Sequence, residues 1–335
     1  MKILVTGVVG FIGFHVANDL IKRGNKVFGI DNINSYYEVN LKKDRLKILK
    51  KNNSFFFKKL NIEDNLEINS LFKKFKPDVV VHLAAQAGIR HSLDHPRDYF
   101  ISNSLGTFNI LDASKTFGIK HLVIASTSSI YGANTKIPHN EDMLSDHPIQ
   151  FYAATKKNCE TMAHSYSHLY RIPTTVLRFF TVYGPWGRPD MALFKFTKRI
   201  LEGKAIEVFN NGNHKRDFTY ISDVSNVVKK IINKIPKPDK NWDPLKPSAS
   251  SSSAPFKVFN VGYGKPIKLD EFILHLEKVL NKKANRIYRP YSLGEIIDTH
   301  SDTRKLEKYI GYKPKIDYKE GIIKFVEWYK SYYQI

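Results

Sequence analysis

The sequence predicts an α/β fold: a doubly wound parallel sheet with a smaller α/β lobe following it. The first half of the chain alternates short apolar runs with longer amphipathic segments, which is the pattern of β-α-β units. Several of these runs are apolar throughout, as expected for strands covered on both faces. A glycine-rich turn directly follows the first run. The chain has 335 residues, enough for about two lobes.

Strands are predicted where the short apolar runs are bounded by turn residues. They cover Lys2–Thr6, Lys26–Ile30, Ser54–Leu60, Val79–Leu83, Leu122–Ser126 and Thr174–Phe180. Helices are predicted where apolar residues recur with a helical period. In the first half these are Phe11–Arg23, Asn65–Phe75, Asn103–Phe117 and Phe151–Tyr170. Beyond Gly187 the alternation is less regular, and helices are expected at Ala192–Glu202, Ile221–Lys234, Leu269–Leu280 and Lys319–Tyr332.

The composition excludes several classes of protein. The chain is 42% hydrophobic and 25% charged, values that exclude disordered and fibrous proteins. Its one cysteine, Cys159, cannot form an intrachain disulfide, and no CxxC or Cys/His ligand cluster occurs, so we expect a reducing compartment and no metal site. No run approaches the roughly 18 apolar residues of a membrane span, and Gly7 interrupts the apolar start too early for a signal peptide. We therefore expect a cytoplasmic protein without a membrane partner.

The net charge of +21 does not by itself indicate a nucleic-acid-binding protein. The lysines are dispersed along helices, loops and the tail, whereas nucleic-acid-binding surfaces concentrate charge on one face or stripe. We expect no specific nucleic-acid partner. The excess charge should still attract anions, including nucleotide phosphates.

The glycine-rich turn has the spacing GxxGxxG, with Gly7, Gly10 and Gly13 between the first strand and the first helix. Glycines there permit a tight turn and close approach of a pyrophosphate to the helix N-terminus. The commoner dinucleotide fingerprint is GxGxxG, so the motif alone also fits a turn without a ligand. Asp31 ends the second strand, 18 residues after Gly13, near the place of an acid that binds ribose hydroxyls. Such an aspartate can also cap a loop, but with the glycines it favours NAD over NADP.

A second pattern combines Tyr152 and Lys156 with the end of a strand. The two side chains are four residues apart and share one helix face. A lysine ammonium beside a phenol favours the phenolate, which can act as a general base. The spacing also arises by chance in a chain rich in tyrosine and lysine. The hydroxyls of Thr127, Ser128 and Ser129 follow a predicted parallel strand, and catalytic groups collect at such ends.

Together these segments resemble the extended short-chain dehydrogenase/reductase family that acts on nucleotide sugars, over essentially the whole chain. Within it the chain is most similar to the UDP-glucuronate 4-epimerase branch. The segments that carry the resemblance are Thr6–Gly13, Asp31–Tyr37, His82–Arg90, Thr127–Gly132, Tyr152–Lys156, Arg178–Ala192 and Arg216–Ile221.

The resemblance implies a Rossmann-type fold and a role for each matching residue. Tyr152 would be the catalytic base, Lys156 would bind the nicotinamide ribose, and Thr127 would complete the triad. The implied NAD contacts are Gly7, Gly10, Phe11, Ile12, Gly13, Asp31, Asn32, Asn61, Ile62, Leu83, Ala84, Ala85, Asn103, Tyr152 and Lys156. The implied substrate contacts are Arg90, Thr127, Ser128, Ser129, Tyr152, Thr181, Arg188 and Arg216.

Among the implied contacts, Asn61 concerns the cofactor, Thr181 concerns the sugar, and Arg188 and Arg216 concern the phosphates. Asn61 stands where an aspartate commonly approaches the adenine, and Thr181 stands where many epimerases of unmodified hexoses have asparagine. Arg188 and Arg216 would neutralise the UDP pyrophosphate, a role suited to forked guanidinium groups.

The resemblance also implies a division into domains. Residues 1–178 are expected to form the NAD-binding domain and residues 179–335 mainly the UDP-sugar-binding domain, with some segments returning to the first. Residues 236–255 are rich in proline and serine and are predicted to be a flexible insertion. The family often dimerises through helices such as Asn103–Phe117 and Phe151–Tyr170, so a homodimer is expected.

The expected reaction interconverts UDP-glucuronate and UDP-galacturonate by transient oxidation at sugar carbon 4 with tightly bound NAD. The related 4,6-dehydratases have an Asp-Glu pair where Ser128 and Ser129 stand here. UDP-glucuronate decarboxylases typically have glutamate at the position of Ser129, and decarboxylation remains the enzymatic alternative. A 4-epimerase of UDP-glucose or UDP-N-acetylglucosamine is a third interpretation. The presence of Tyr152, Lys156 and Thr127 argues against a non-catalytic NAD- or RNA-binding relative.

Overall fold

The fold is built on a central parallel sheet covered by helices on both faces. The computed structural model describes residues 1–291, 294 and 296–335. The strands of this described part are β1 (Lys2–Thr6), β2 (Lys26–Asp31), β3 (Phe55–Lys59), β4 (Val79–His82), β5 (His121–Thr127), β6 (Thr174–Phe179), β7 (Thr181–Tyr183), β8 (Ile206–Phe209), β9 (Lys215–Arg216), β10 (Phe218–Tyr220), β11 (Phe256–Val261), β12 (Ile267–Lys268) and β13 (Arg286–Arg289).

The α-helices alternate with these strands. They are α1 (Phe11–Lys22), α2 (Val39–Lys50), α3 (Asn65–Phe75), α4 (His91–Asp94), α5 (Pro96–Tyr99), α6 (Gly106–Phe117), α7 (Phe151–Tyr170), α8 (Ala192–Leu201), α9 (Ile221–Ile231), α10 (Leu269–Leu280), α11 (Arg304–Ile310) and α12 (Tyr318–Tyr333). Within the described residues no helix is long and apolar enough to cross a membrane.

The central sheet has seven strands in the order β11-β6-β5-β4-β1-β2-β3, all parallel. The strand order reverses beside β1, so the connections that follow β1 and β4 leave toward opposite faces of the sheet and a crevice forms at the carboxyl ends of these two strands. The predicted Rossmann-type doubly wound fold is confirmed. The remaining short strands pair as β7 with β10, β8 with β13 and β9 with β12.

Strand alternation divides the core into two layers. Ile3 and Val5 pack in the layer that includes α1 and α9, whereas Leu4, between them, packs with α3 and α6. Successive side chains of a strand point to opposite faces, so β1 serves both layers. This is why the three central residues of the first strand, Ile3, Leu4 and Val5, are all apolar.

The predicted elements occur with small differences in their ends. The helix expected to begin at Asn103 starts as a π-helical turn, Phe100–Leu105, and becomes α-helical only at Gly106. The sequence reading missed α2, because its many lysines obscure the buried residues Leu41, Leu46 and Leu49. Strand β11 of the central sheet was also not predicted, because residues after 179 were expected mainly in the second lobe.

Residues 236–255 lie beside β11 at the edge of the sheet. The amide of Val258 donates to the carbonyl of Ser250 at 3.0 Å, and the amide of Ser250 donates to Asp142 at 3.1 Å. Covering an edge strand removes a site of unwanted strand pairing. The predicted flexibility of this segment and the domain boundary at residue 178 stay predictions.

Two buried histidines predict acid sensitivity of the fold. Burial lowers the pKa of His82 to about 3 and that of His121 to about 4, from an ordinary 6.5. As the pH falls, the two imidazoles therefore take up protons in the unfolded chain before they do so in the folded chain. The contribution of the neutral rings to the stability of the fold is complete above pH 6.5 and decreases as the pH falls below that value. At pH 5 each ring should lower the free energy of unfolding by about 2 kcal/mol.

Thermal melts followed by circular dichroism at pH 7 and pH 5 check this prediction. We expect a lower midpoint at pH 5 and a smaller pH effect in His121→Asn. The exposed His168→Asn variant is the control and should behave as the parent chain does. Equal midpoints at the two pH values would contradict it.

Candidate active site

The glycine-rich turn lies in the crevice at the carboxyl end of β1. Gly7 has φ +67°, and a Cβ there would lie 2.8 Å from the backbone of Ala84. A Cβ on Gly13 would lie 2.1 Å from the carbonyl oxygen of Gly7. The amide of Gly10 donates to the same carbonyl at 3.0 Å. Only glycine fits the first and third positions, and the turn leaves the N-terminus of α1 open to an anion.

A cavity extends from this turn along the carboxyl ends of the strands. The predicted cofactor contacts that line it are Gly7, Gly10, Phe11, Ile12, Gly13, Asp31, Asn32, Ile62, Leu83, Ala84, Ala85, Tyr152 and Lys156. We call it the nucleotide cavity. A glycine cradle at a helix N-terminus, an acid at the end of β2 and an apolar floor fit a dinucleotide.

Asn61 and Asn103 are the two predicted cofactor contacts that are not among the described residues lining this cavity. Asn103 is buried behind it, where its amide accepts from the Gln86 amide at 2.8 Å and donates to Thr155 at 3.0 Å. Its side chain therefore holds the segment after β4 in place. Gln86, which the sequence reading missed, lines the cavity itself.

The carboxylate of Asp31 is held by backbone amides. It accepts from the amide of Ile33 at 2.8 Å and from that of Val9 at 3.2 Å. Burial raises its pKa, while these amides and the nearby Lys42 favour the charged form. Burial also lowers the pKa of Lys42 to about 8. Asp31 is thus oriented into the nucleotide cavity with lone pairs left to accept from a ligand.

Helix α2, missed in the sequence, supports the turn from behind. Its fully buried Arg45 donates to the carbonyl of Val9 at 2.8 Å and to the carbonyl of Trp186 at 2.6 Å. Arg45 therefore ties the glycine turn to the loop that follows β7. No local sequence signal marks such a contact.

Tyr152 and Lys156 lie on the first turns of α7 and face the nucleotide cavity. Lys156 is almost fully buried, at 2% exposure. Thr127, the last residue of β5, lines the same cavity, and its hydroxyl accepts from the amide of Ser129 at 3.2 Å. The structure therefore brings the three predicted catalytic side chains to one place.

A second, larger cavity adjoins the first, and Tyr152 borders both. The predicted substrate contacts that line it are Arg90, Ser128, Ser129, Tyr152, Thr181, Arg188 and Arg216. We call it the substrate cavity. Thr127 differs from the expectation: it lines the nucleotide cavity and not this one, and its hydroxyl donates to that of Ser129 at 3.3 Å. The lining of the substrate cavity includes the hydroxyls of Ser128, Ser129 and Thr181.

The arginines of the substrate cavity have partners that sequence reasoning missed. Arg188 pairs with Asp190, with Nε 3.0 Å from Oδ1, and the hydroxyl of Tyr36 lies 3.4 Å from the same carboxylate. The guanidinium of Arg90 lies over the ring of Phe209, 3.9 Å from its centroid. The spacing of Arg188 and Asp190 was visible in the sequence, but the approach of Phe209 depends on folding.

Arg216 is anchored through the backbone. Its guanidinium donates to the carbonyl of Ile297 at 2.6 Å, which fixes it at the wall of the substrate cavity. Three arginines thus converge on one cavity, which suits a polyanionic ligand such as a diphosphate.

Comparisons with known proteins agree with this geometry. The model of the NAD dependent epimerase/dehydratase family matches residues 3–242. The chain is similar to protein CapI of Staphylococcus aureus, with 49% identity over the full length of both. It is also similar to a probable UDP-glucuronate 4-epimerase of Rhizobium meliloti, with 44% identity over 100% of this chain and 98% of that one.

A solved structure shares the whole architecture. It is UDP-glucuronic acid 4-epimerase from Bacillus cereus in complex with UDP-glucuronic acid and NAD, with a TM-score of 0.89 and 32% identity. The match covers 99% of this chain and 100% of that one. The chain belongs to the NAD-dependent epimerase/dehydratase family.

Proposed function

We propose that this protein interconverts UDP-glucuronate and UDP-galacturonate by epimerisation at sugar carbon 4, with NAD held in the nucleotide cavity. The observation that carries the proposal is the position of Tyr152 at the junction of the two cavities. On the sugar side it is accompanied by Ser128, Ser129 and Thr181. The similarity to a probable UDP-glucuronate 4-epimerase and to the solved UDP-glucuronic acid 4-epimerase supports the same reaction.

The residues present fit the dinucleotide. The glycine turn and the N-terminus of α1 would take its pyrophosphate, and Asp31 would accept from the adenine-side ribose. Lys156 would bind the nicotinamide ribose. When bound, NAD⁺ supplies a reversible hydride acceptor at carbon 4.

Tyr152 would carry the proton. It accepts the proton of the 4-hydroxyl as that carbon is oxidised, and returns it to the oxygen when hydride comes back to the opposite face of the sugar. Tyr152 acts as the base during oxidation and as the acid during reduction, because the reaction has no net redox change. The hydroxyl of Thr127, at the end of β5, completes the triad.

The substrate cavity has a second task, since the 4-keto sugar carries its carboxylate β to a ketone and loses carbon dioxide readily. Cleavage is fastest when the carbon–carboxylate bond is perpendicular to the carbonyl plane. The hydroxyls of Ser128 and Thr181, which line this cavity, are proposed to hold the carboxylate away from that geometry. Hydroxyl groups can hydrogen-bond the sugar carboxylate without acting as carboxylic acid proton donors.

The arginines would hold the diphosphate. Arg216 is fixed in the cavity wall, whereas Arg90 and Arg188 contact Phe209 and Asp190. A diphosphate offers acceptors for forked guanidinium groups. We propose that these three residues anchor the nucleotide while the sugar presents one face and then the other to Tyr152.

Incubating the purified chain with UDP-glucuronate and NAD⁺ and following the products by NMR tests the function. Formation of UDP-galacturonate supports the proposal. UDP-xylose or a 4-keto pentose would instead indicate a decarboxylase. If UDP-glucose or UDP-N-acetylglucosamine alone is turned over, the chain is an epimerase of unmodified hexoses.

The restraint of the carboxylate predicts an effect of Thr181→Ala. Losing one neutral hydrogen bond, worth about 0.5–1.5 kcal/mol, should raise the ratio of decarboxylated product to epimer several-fold. The measurement is carbon dioxide released per epimerisation event. Thr161→Ala, at an exposed position on α7, is the control. An unchanged ratio in Thr181→Ala, in Ser128→Ala and in the double variant would contradict the restraint and leave the epimerase proposal standing.

The position of Asp31 predicts cofactor preference. We expect NAD⁺ to bind at least about tenfold more tightly than NADP⁺, a difference of about 1.4 kcal/mol, because a carboxylate repels a 2′-phosphate. Calorimetry on the protein freed of cofactor measures both affinities. Asp31→Asn should reduce the ratio of NAD⁺ affinity to NADP⁺ affinity. Equal or reversed affinities in the parent chain would contradict the role proposed for Asp31.

A homodimer and a cytoplasmic location complete the proposal. Helices α6 and α7 pack together and leave Phe108, Leu169 and Tyr170 exposed, which is an apolar surface suited to a second copy. The single cysteine, Cys159, is buried, as suits a reducing compartment. Light scattering of the purified chain measures the oligomeric state.

A further inference from the structure

Two histidines and an aspartate lie close together beside the substrate cavity. They are His91 on α4, Asp98 on α5 and His95 between these two short helices. One possible ligand atom from each lies within 4.8 Å of the other two. We call these three residues the His-Asp cluster.

The local backbone places the three side chains on one side. The amide of His95 donates to the carbonyl of His91 at 3.0 Å, and the amide of Asp98 donates to the carbonyl of His95 at 3.3 Å. Each residue is therefore about one helical turn from the one before it. The two imidazole rings stack with centroids 4.3 Å apart and planes 27° apart.

The surroundings hold one imidazole and leave the other ligands accessible. The ring of His91 packs against Tyr36 at 4.9 Å and Tyr99 at 5.8 Å, which limits its rotation. Its Nδ1 is buried and has no hydrogen-bond partner among the described residues. His95 and Asp98 are exposed, so an ion can reach the cluster from solvent.

We propose that the His-Asp cluster binds a divalent transition-metal ion of the zinc class. Imidazole nitrogen and carboxylate oxygen are ligands that zinc prefers, and two histidines with one carboxylate leave a position for water. An ion among three atoms within 4.8 Å of one another lies no more than about 2.8 Å from any of them. Shifts of less than about 1 Å then give ordinary zinc–ligand distances near 2.1 Å.

The proposed reaction uses none of the three residues, although His91 lines the substrate cavity. The test measures metal binding directly and therefore does not depend on the proposed function. It departs from the sequence expectation of no metal. That expectation rested on the absence of Cys ligand pairs and Cys/His clusters, whereas this cluster joins two short helices through histidine and aspartate.

Binding can be measured on the full chain after removal of metals with a chelator. Co²⁺ serves as a spectroscopic probe through its visible absorption, and Zn²⁺ is titrated by calorimetry. We expect one ion per chain, displacement of Co²⁺ by Zn²⁺, and at least about tenfold weaker binding in His95→Asn and in Asp98→Asn. Both positions are exposed, and circular dichroism melts should match those of the parent chain.

The matched control is His168→Asn. His164 and His168 also stand four residues apart, but their rings are 6.3 Å apart and His164 is hydrogen-bonded to Ser252. The control should bind as the parent chain does. Absence of saturable binding, or an unchanged affinity in both cluster variants, would overturn the proposal.

Discussion

Replacing Tyr152 with phenylalanine is expected to lower turnover of UDP-glucuronate by at least about 10²–10⁴-fold while changing substrate affinity little. The substitution removes the hydroxyl of Tyr152, a residue that borders both cavities, and keeps the ring. The ring packs edge-on against Tyr99, with centroids 6.0 Å apart, so the local packing should persist. Initial rates and calorimetric binding of UDP-glucuronate measure the two effects separately.

Tyr166→Phe is the matched control for that experiment. Tyr166 lies on the same helix, α7, where its ring contacts Phe108 and Tyr170 away from both cavities. The Tyr166→Phe variant also loses a phenolic hydroxyl, and its turnover of UDP-glucuronate should equal that of the parent chain. Near-normal turnover in Tyr152→Phe would remove Tyr152 from the proposed mechanism.

Replacing Arg178 with methionine is expected to lower the free energy of unfolding by about 3–5 kcal/mol, since it leaves a buried carboxylate without its partner. Arg178 is 1% exposed, and its guanidinium donates to both carboxylate oxygens of Glu160, at 3.0 and 2.8 Å. It also donates to the hydroxyl of Tyr131 and to the carbonyl of Glu141, each at 3.1 Å. The pair joins β6 to α7, so the loss should be global.

Urea unfolding of the parent and variant chains measures this effect. The double variant Arg178→Met with Glu160→Leu removes both charges and should recover much of the lost stability. Lys47→Met breaks the exposed pair of Lys47 with Asp44 and should cost less than about 1 kcal/mol. A small effect of Arg178→Met, equal to that of the exposed pair, would contradict the prediction.

Much of the architecture was accessible from the sequence because its signals are local. Alternating runs predicted the parallel sheet, since strand and helix periods are properties of a few consecutive residues. The helix over Phe151–Tyr170 has the ends that the pattern predicted. Gly7, Gly10 and Gly13 follow a strand and begin a helix, and that context points to a dinucleotide turn without knowledge of any other contact.

The proposed catalytic residues were accessible for a related reason. Tyr152 and Lys156 are one helical turn apart, and Thr127 ends a strand, so local geometry already places them at functional positions. The resemblance to a known family then assigned their roles. Asn103 shows the limit of this approach, since its side chain lies behind the nucleotide cavity and supports Gln86.

Only the tertiary structure decided the contacts between residues far apart in the chain. Arg45 reaches Trp186, Arg90 lies over Phe209, and a strand from beyond residue 255 completes the sheet. Sequence periodicity reports which face of an element is buried, but not which distant side chain packs against it. By itself the sequence determined the fold class and the proposed catalytic motif, because both depend on the spacing of nearby residues. The partners of the buried and cavity-lining arginines depend on how the chain closes on itself, and that is settled only when all the elements pack together.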